Sequence, residues 1–378
     1  MLRWDPYFTK KNEEVTSFLS SFFSSENCDL LYFSGVGFDP RMTLGLESIF
    51  SHSSNGRKDC IMVEFEEGKE SPSRKHEALL IENVNKAKQI VEGYGGSILQ
   101  KTVEMWKGQG SGRRRVTSQN AAALIKSIDD LEYDSIVVDI SSLPRSVFFP
   151  LIGKILSLLD DAKKRGEDKR RNLLIVAAEN AALDKQIRKV GIDDAAEYVR
   201  GFGSGFDLEG SGNLPRIWIP ILGEDQTDQL RKVHELVNPD EISPVLPNPS
   251  INPRRSDDIV LSHRQLLFDE WDIEPHNIIY VSENNPFEAY RQISLTAERY
   301  RKALDSLGGC NIAISAHSSK LLSLGGLMAA YELNRKGYSS SLAHVQVQGY
   351  DMPKTNNLDE LDSQSQLFLV GLFGEFYD

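Results

Sequence analysis

The stretch from Ile136 to Leu159, IVVDISSLPRSVFFPLIGKILSLL, constrains the chain more than any other. Ile136, Val137 and Val138 form a short apolar run of the kind that fits a buried strand. A polar crossing follows, Asp139-Ile140-Ser141-Ser142-Leu143-Pro144-Arg145, and then a long apolar run from Val147 to Leu159. The pattern predicts a strand, a tight loop and a helix N-terminus. Ser141 and Ser142 suit a cap, Pro144 suits the first helical turn, and Arg145 stands at the mouth. Asn311–Leu333, NIAISAHSSKLLSLGGLMAAYEL, repeats this pattern. There the strand Ile312–Ser315 leads through Ala316-His317-Ser318-Ser319-Lys320 into another apolar helix. Each unit carries serines and then one cation at a helix entrance.

A chain of 378 residues exceeds one typical core, so two such units imply two α/β domains. Hydrophobic residues at 40% and charged residues at 26% give a globular balance. The formal net charge of −12 argues against a broad nucleic-acid surface and leaves room for a local basic pocket. The opening MLRWDPYFTKKNEE has no apolar core of a signal peptide, and no apolar run is long enough to span a bilayer. Cys28, Cys60 and Cys310 fall in or beside expected strands without metal-ligand spacing. They read as buried thiols in a reducing, cytoplasmic setting.

The expected elements run in order. Helix Glu13–Phe23 lies in an N-terminal segment, residues 1–28. The first domain, 29–202, has strand Leu30–Phe33, helix Met42–Phe50, strand Cys60–Phe65, helix His76–Tyr94, strand Ser97–Val103 and helix Ser118–Leu131. The first organising stretch and strand Leu173–Ala178 complete it. Gly108–Arg115, GQGSGRRR, reads as a flexible basic loop, and Phe202–Pro215 as a glycine-rich linker. The second domain, 216–378, has strand Ile217–Leu222, helix Thr227–Val237, strand Glu241–Leu246, helix Ser262–Trp271, strand Asn277–Val281 and helix Pro286–Leu307. The second organising stretch and strand Ala343–Gln348 follow, and Leu358–Asp378 reads as a further helix or an arm. The alternation predicts an α/β fold of two tandem Rossmann-like, doubly wound parallel sheets, arranged as a duplication.

In such sheets ligands bind beyond the carboxyl ends of the strands, where the strand order reverses. The loops after Phe33, Ile140, Leu222 and Ser315 are therefore the candidate site. Gly35 and Gly37 give a turn close to a nucleotide-binding one, without the third glycine. Asp39 and Arg41 suit ligand hydroxyls and phosphates, or pair with each other. Asp139, Ser141, Ser142 and Arg145 in one loop, and Ser318, Ser319 and Lys320 in the other, suit anions at helix N-termini. The competing reading makes the serines ordinary caps and leaves the cations solvated. Glu64, Glu66 and Glu67 stand where a ribose-binding acid often sits, or form a charged strand end. His317 is the candidate general base. No histidine pattern suggests a metal, and neither a P-loop nor a GxSxG elbow is present.

Residues Ser315–Leu333, with Ser318, Ser319, Lys320, Gly325 and Gly326, resemble the CRISPR-associated Rossmann-fold (CARF) sensor domains and their relatives. Those domains have a strand, a small-polar loop ending in a basic residue, and an apolar helix with small residues. Ser141, Ser142, Arg145 and the loop Gly35–Arg41 fit the same outline in the first half. His317-Ser318-Ser319 stands where that group carries threonine-glycine-glycine. The resemblance implies a nucleotide-like ligand and a role as sensor or subunit in a bacterial antiviral-defence complex. Two other readings stay open: a nucleotide-dependent transferase or hydrolase, S-adenosylmethionine-dependent among them, and a non-catalytic scaffold. The cofactor is left unknown.

Overall fold

The computed structural model describes residues 2–23, 27–53, 55–66, 71–108, 114–167, 169–202, 214–352 and 362–377. Most of the expected linker, Glu67 and the tip of the basic loop around Arg113 lie outside these residues. The chain forms two compact bodies. The first comprises Trp4–Gly191 and Val347–Asp378, the second Met1–Arg3 and Ile192–Gln346.

The first body begins with β1 (Phe8–Lys11), α1 (Glu13–Phe22), β2 (Leu30–Gly35), α2 (Leu44–His52), β3 (Lys58–Glu66), α3 (Glu77–Gly93) and β4 (Ser97–Glu104). A ribbon of β5 (Trp106–Lys107) and β6 (Arg114–Arg115) precedes α4 (Thr117–Ala122), β7 (Ser135–Asp139), α5 (Arg145–Lys164) and β8 (Asn172–Glu179). Then come α6 (Ala181–Gln186) and β9 (Arg188–Ile192). The second body has β10 (Glu197–Tyr198), β11 (Arg216–Ile221), α7 (Thr227–Val237), β12 (Glu241–Ile242), β13 (Val245–Pro247), α8 (Arg255–Ser262) and β14 (Ile279–Val281). It closes with α9 (Pro286–Ala303), β15 (Asn311–Ala316), α10 (Lys320–Arg335) and β16 (Ser340–His344). The chain then returns to the first body as β17 (Val347–Asp351) and β18 (Gln366–Phe373).

The first sheet has the order β1-β18-β8-β7-β2-β3-β4, and the second β10-β16-β15-β11-β13-β14 with β12 also on β11. In both, the strands built from alternating strand–helix units are parallel, and one side of the sheet is extended by antiparallel pairing. The cause is visible in the strands. All six residues of β2, all five of β7 and all six of β15 are buried, so each is mostly apolar without polar alternation, its polar residues near the ends, as suits a strand covered on both faces. Helix α10 is buried from Leu321 to Leu333. Gly325 lets it press on α9: a Cβ there would lie 2.5 Å from the Pro286 carbonyl oxygen and 2.7 Å from Ala289 Cβ.

The expected domain limits need correction at three places. Residues 1–28 are not a separate segment, since β1 and α1 belong to the first body. The second body starts at Ile192, ahead of residue 216, because β10 pairs with β16. The C-terminal stretch is neither a helix nor an arm of the second domain: Gln366–Phe373 is β18, inserted between β1 and β8 of the first sheet. Burial drives this return, because Leu367, Phe368, Leu369, Val370 and Leu372 are all buried there. The expected strand Ala343–Gln348 is likewise two strands, β16 and β17, one in each body. The region expected as one helix, Ser118–Leu131, is the short α4 and a 3-10 turn Ile128–Leu131.

Candidate functional site

Both sheets reverse their strand order at one point. In the first, β2 leads outward to β3 and β4 on one side, while β7 and β8 fill the other. In the second, β11 leads to β13 and β14, while β15 and β16 lie opposite. The crevices where ligands bind in open α/β sheets are therefore β2/β7 and β11/β15. The four loops singled out in the sequence are the loops that leave these strands. The fold brings them together in pairs, Gly35–Arg41 with Asp139–Arg145 and Leu222–Gln226 with His317–Lys320.

In the first body these side chains are bonded to one another. The Arg41 guanidinium takes Asp39 with both prongs, Nε to Oδ1 at 3.0 Å and Nη2 to Oδ2 at 2.7 Å. Its Nη1 meets Asp184 Oδ1 at 2.8 Å. Burial alone would lower the Arg41 pKa, but Asp39 and Asp184 outweigh it and raise it. Asp39 also accepts from the Arg41 amide, capping the turn Pro40–Thr43, and Asn83 donates to the carbonyls of Gly37 and Asp39. Asp139 is fully buried, accepting from Tyr32 Oη at 2.6 Å and from the Ser141 amide at 2.8 Å. Burial first, and then the Asp139 charge, push the Tyr32 phenol well up. Ser141 Oγ accepts from the Ala178 amide, and Ser142 Oγ donates to the Gly35 carbonyl at 2.7 Å. A Cβ on Gly35 would crowd this contact, lying 2.9 Å from Leu143 Cδ2, 3.0 Å from Ser142 Oγ and 3.1 Å from Leu143 N. A Cβ on Gly37 would meet nothing nearer than the Asp39 nitrogen at 4.0 Å. Arg145 is the first residue of α5 and is half-buried. Its surroundings lower its pKa through burial, against the opposing pull of Tyr350, Glu179 and Asp184. Above these loops lie Tyr350 and Met352, which pack with Phe38 and Leu183.

In the second body the two loops touch through backbone. A Cβ on Gly223 would lie 2.1 Å from the His317 carbonyl oxygen and 3.1 Å from Ser318 Cα, so only glycine fits. Ser319 is the N-cap of α10, its Oγ accepting from the Leu322 amide, and Lys320 opens the helix with part of its surface exposed. The His317 ring turns back on its own strand, with Nε2 3.1 Å from Ser315 Oγ, which also accepts from Trp218 Nε1 at 3.0 Å. That engagement, with 5% of the residue exposed, does not set it out as a general base. Three further groups converge at the strand ends. Arg255 forks onto Glu224 at 2.9 and 3.1 Å and also pairs with buried Glu283. His263 Nε2 lies 2.8 Å from the Gly223 carbonyl, which only accepts. The ring proton is therefore on Nε2, and Nδ1, 3.0 Å away, accepts from Thr227 Oγ1. Gln226 is 8% exposed and its Oε1 is buried with no donor.

Sequence reasoning missed the Arg255–Glu224–Glu283 cluster, His263 and Gln226. Arg255 and Glu224 are 31 positions apart, a separation no local pattern reveals. Of the expected ribose acids, Glu64 accepts from Gln100 Nε2 at 3.3 Å on the neighbouring strand, and the side chains of Glu66 and Glu67 lie outside the described residues. Arg115 of the basic loop stacks on the Trp106 ring, 3.8 Å from its centroid. Cys60 and Cys310 are buried and Cys28 is half-buried; burial raises all three thiols, that of Cys310 to about 11. Among the described residues no group of histidine, cysteine and acid side chains gathers to hold a metal ion, and no helix is long and apolar enough to cross a membrane.

No protein-family model and no curated protein matches the chain. Among solved structures, the chain is similar to a protein of Pseudomonas aeruginosa UCBPP-PA14 described as a universal stress protein, at 10% identity and a TM-score of 0.21, over 88% of this chain and 96% of that one. It is also similar to the UDP-GlcNAc 2-epimerase of Neisseria meningitidis bound to UDP-GlcNAc, at 8% identity and a TM-score of 0.21, over 81% and 91%. At such scores neither carries an argument about this chain's ligand. The fold rests on the topology itself: a mixed α/β chain with two largely parallel sheets of Rossmann-like strand order.

Proposed function

We propose that the protein binds a nucleotide or another phosphorylated small molecule at the β11/β15 switch point, and works as a sensor or subunit of a bacterial defence complex. The observation that carries the binding reading is the reversal of strand order between β11 and β15, with both flanking loops assembled around Gly223. A crevice at that position with the Ser319-capped α10 on one wall suits an anion, because helix N-terminal amides and a neighbouring ammonium favour negative charge. Lys320 supplies the ammonium. The second body is chosen because Gly223 brings its two loops into backbone contact beside the capped start of α10. The defence role rests on the resemblance carried by Ser318, Ser319, Lys320, Gly325 and Gly326.

Native mass spectrometry of the purified chain, followed by calorimetry with a nucleotide panel, tests the reading. A phosphate-bearing compound is expected to bind. Lys320→Ala is expected to weaken it by about 1.5–3 kcal/mol, roughly ten- to a hundredfold, with the chain still folded by circular dichroism. Equal binding by Lys320→Ala and the wild type, or no binding of any phosphate compound, would sink it.

A further inference from the structure

The geometry points to Gln226 as a specificity residue of this site: its side-chain oxygen accepts a hydrogen bond from an O–H or N–H on the nucleoside part of the ligand. This deepens the phosphate reading of the β11/β15 switch point and depends on it.

The Gly223 carbonyl is held by His263 and the Thr227 hydroxyl by the same ring. Glu224 holds Arg255 with both oxygens. The Gln226 carbonyl takes the Leu230 amide at 2.9 Å. These groups are satisfied inside the protein and keep the loop in one shape. Gln226 Oε1 is the exception, buried and without a donor. Buried polar atoms in folded proteins are paired in the large majority, and one left dry is costly, so an exception needs a reason.

Helix capping is not that reason. Gln226 occupies the N-cap position of α7, where serine, threonine, aspartate or asparagine would bind the first amides, yet its side chain makes no capping bond. Packing is a poor reason too, because a leucine fills similar space without the stranded oxygen. A ligand donor supplies one. Gln226 follows Gly223 by three residues, a reach of at most about 11 Å. Gly223 itself touches Ser318, just before α10. A phosphate at the start of α10 and a hydroxyl or amine one sugar away fall within that span. The ligand class is then a nucleoside phosphate or sugar phosphate rather than a bare phosphate or polyphosphate.

The test is calorimetry on the full chain with inorganic phosphate, ribose 5-phosphate and adenosine 5′-monophosphate, on wild type, Gln226→Leu, Gln226→Glu and Lys320→Ala. The readout is the ratio of nucleotide to phosphate affinity. Wild type is expected to prefer the nucleotide, and Gln226→Leu to lose about tenfold of that preference while binding phosphate as before. Gln226→Glu, which keeps an acceptor, retains the preference. Gln226→Leu also melts no lower than wild type, whereas a purely structural role would lower it. If ribose 5-phosphate shows the same dependence the donor is a sugar hydroxyl, and if only the nucleotide does it is a base amine. An unchanged ratio in Gln226→Leu, with Lys320→Ala still weakened, overturns this inference and leaves the phosphate reading standing. If none of the three compounds binds, the phosphate reading falls and this inference with it.

Discussion

Three glycines at the strand-end loops look alike in the sequence and differ in kind. A Cβ on Gly223 would run into backbone and one on Gly35 would crowd Leu143 and Ser142, whereas one on Gly37 would meet nothing nearer than 4.0 Å, and Gly37 does not lie among the residues of positive φ. Alanine at 35 must push Leu143 and the Ser142–Gly35 bond apart, a change of about 1–3 kcal/mol in unfolding free energy. Alanine at 37 meets nothing and reduces the freedom of the unfolded chain, for a gain of about 0.4–1 kcal/mol. Urea unfolding of Gly35→Ala and Gly37→Ala is expected to move in opposite directions. Equal destabilisation by both would show that a side chain at 37 is as crowded as one at 35.

At the scale of elements, the first switch point is covered by a strap. β17 pairs with β9 and runs on past the turn Pro72–His76, and Met352 closes on Phe38 and Leu183. Ser73 Oγ lies within bonding distance of both the Tyr350 amide and carbonyl, and His76 Nε2 is 2.9 Å from Asp351 Oδ1. The contact with His76 holds the Asp351 carboxyl below its ordinary range, against a smaller opposing effect of burial and with help from Lys75. A depressed carboxyl stabilises the fold above its unfolded pKa, about 3.9, and that contribution vanishes as pH falls through the lower folded value. Thermal melts of wild type and Asp351→Asn should therefore differ at pH 6 and converge as the pH is lowered below about 4. A gap that stays constant across that range would remove Asp351 from the account of the strap.

At the scale of the whole molecule, the two bodies share a strand order, β8-β7-β2-β3-β4 and β16-β15-β11-β13-β14, flanked beyond β8 and beyond β16 by an antiparallel neighbour. The neighbour in the first body comes from the far end of the chain. Removing Val347–Asp378 would expose β8 and strip five buried apolar residues of β18 from the first core. At about 1.5–3 kcal/mol for each such side chain, the loss rivals the roughly 5–15 kcal/mol that holds a domain together. A chain ending at Gln346 is expected to lose the near-ultraviolet signal of the first body and keep that of the second. Retention of both signals would show that β18 is dispensable.

Periodicity placed many of the local elements of this protein and missed others, such as the break of Ser118–Leu131 into α4 and a 3-10 turn. Helix Thr227–Val237 was legible to the residue, and the strand-loop-helix units at Ile136 and Asn311 stood where expected, because a buried strand followed by a helix with an apolar face leaves its pattern within a few residues. The alternation of these units also determined the parallel sheets and which loops meet at each switch point. What those loops do with their side chains was decided by tertiary structure. Arg41 is matched to Asp184, Asp139 to Tyr32 and Arg255 to Glu224 and Glu283 across many intervening residues, and a charge looks the same in sequence whether it is solvated or paired. The destination of the C-terminal strand was decided there as well. An apolar run such as Leu367–Leu372 states that it will be buried, and only the open edge of β8 states where.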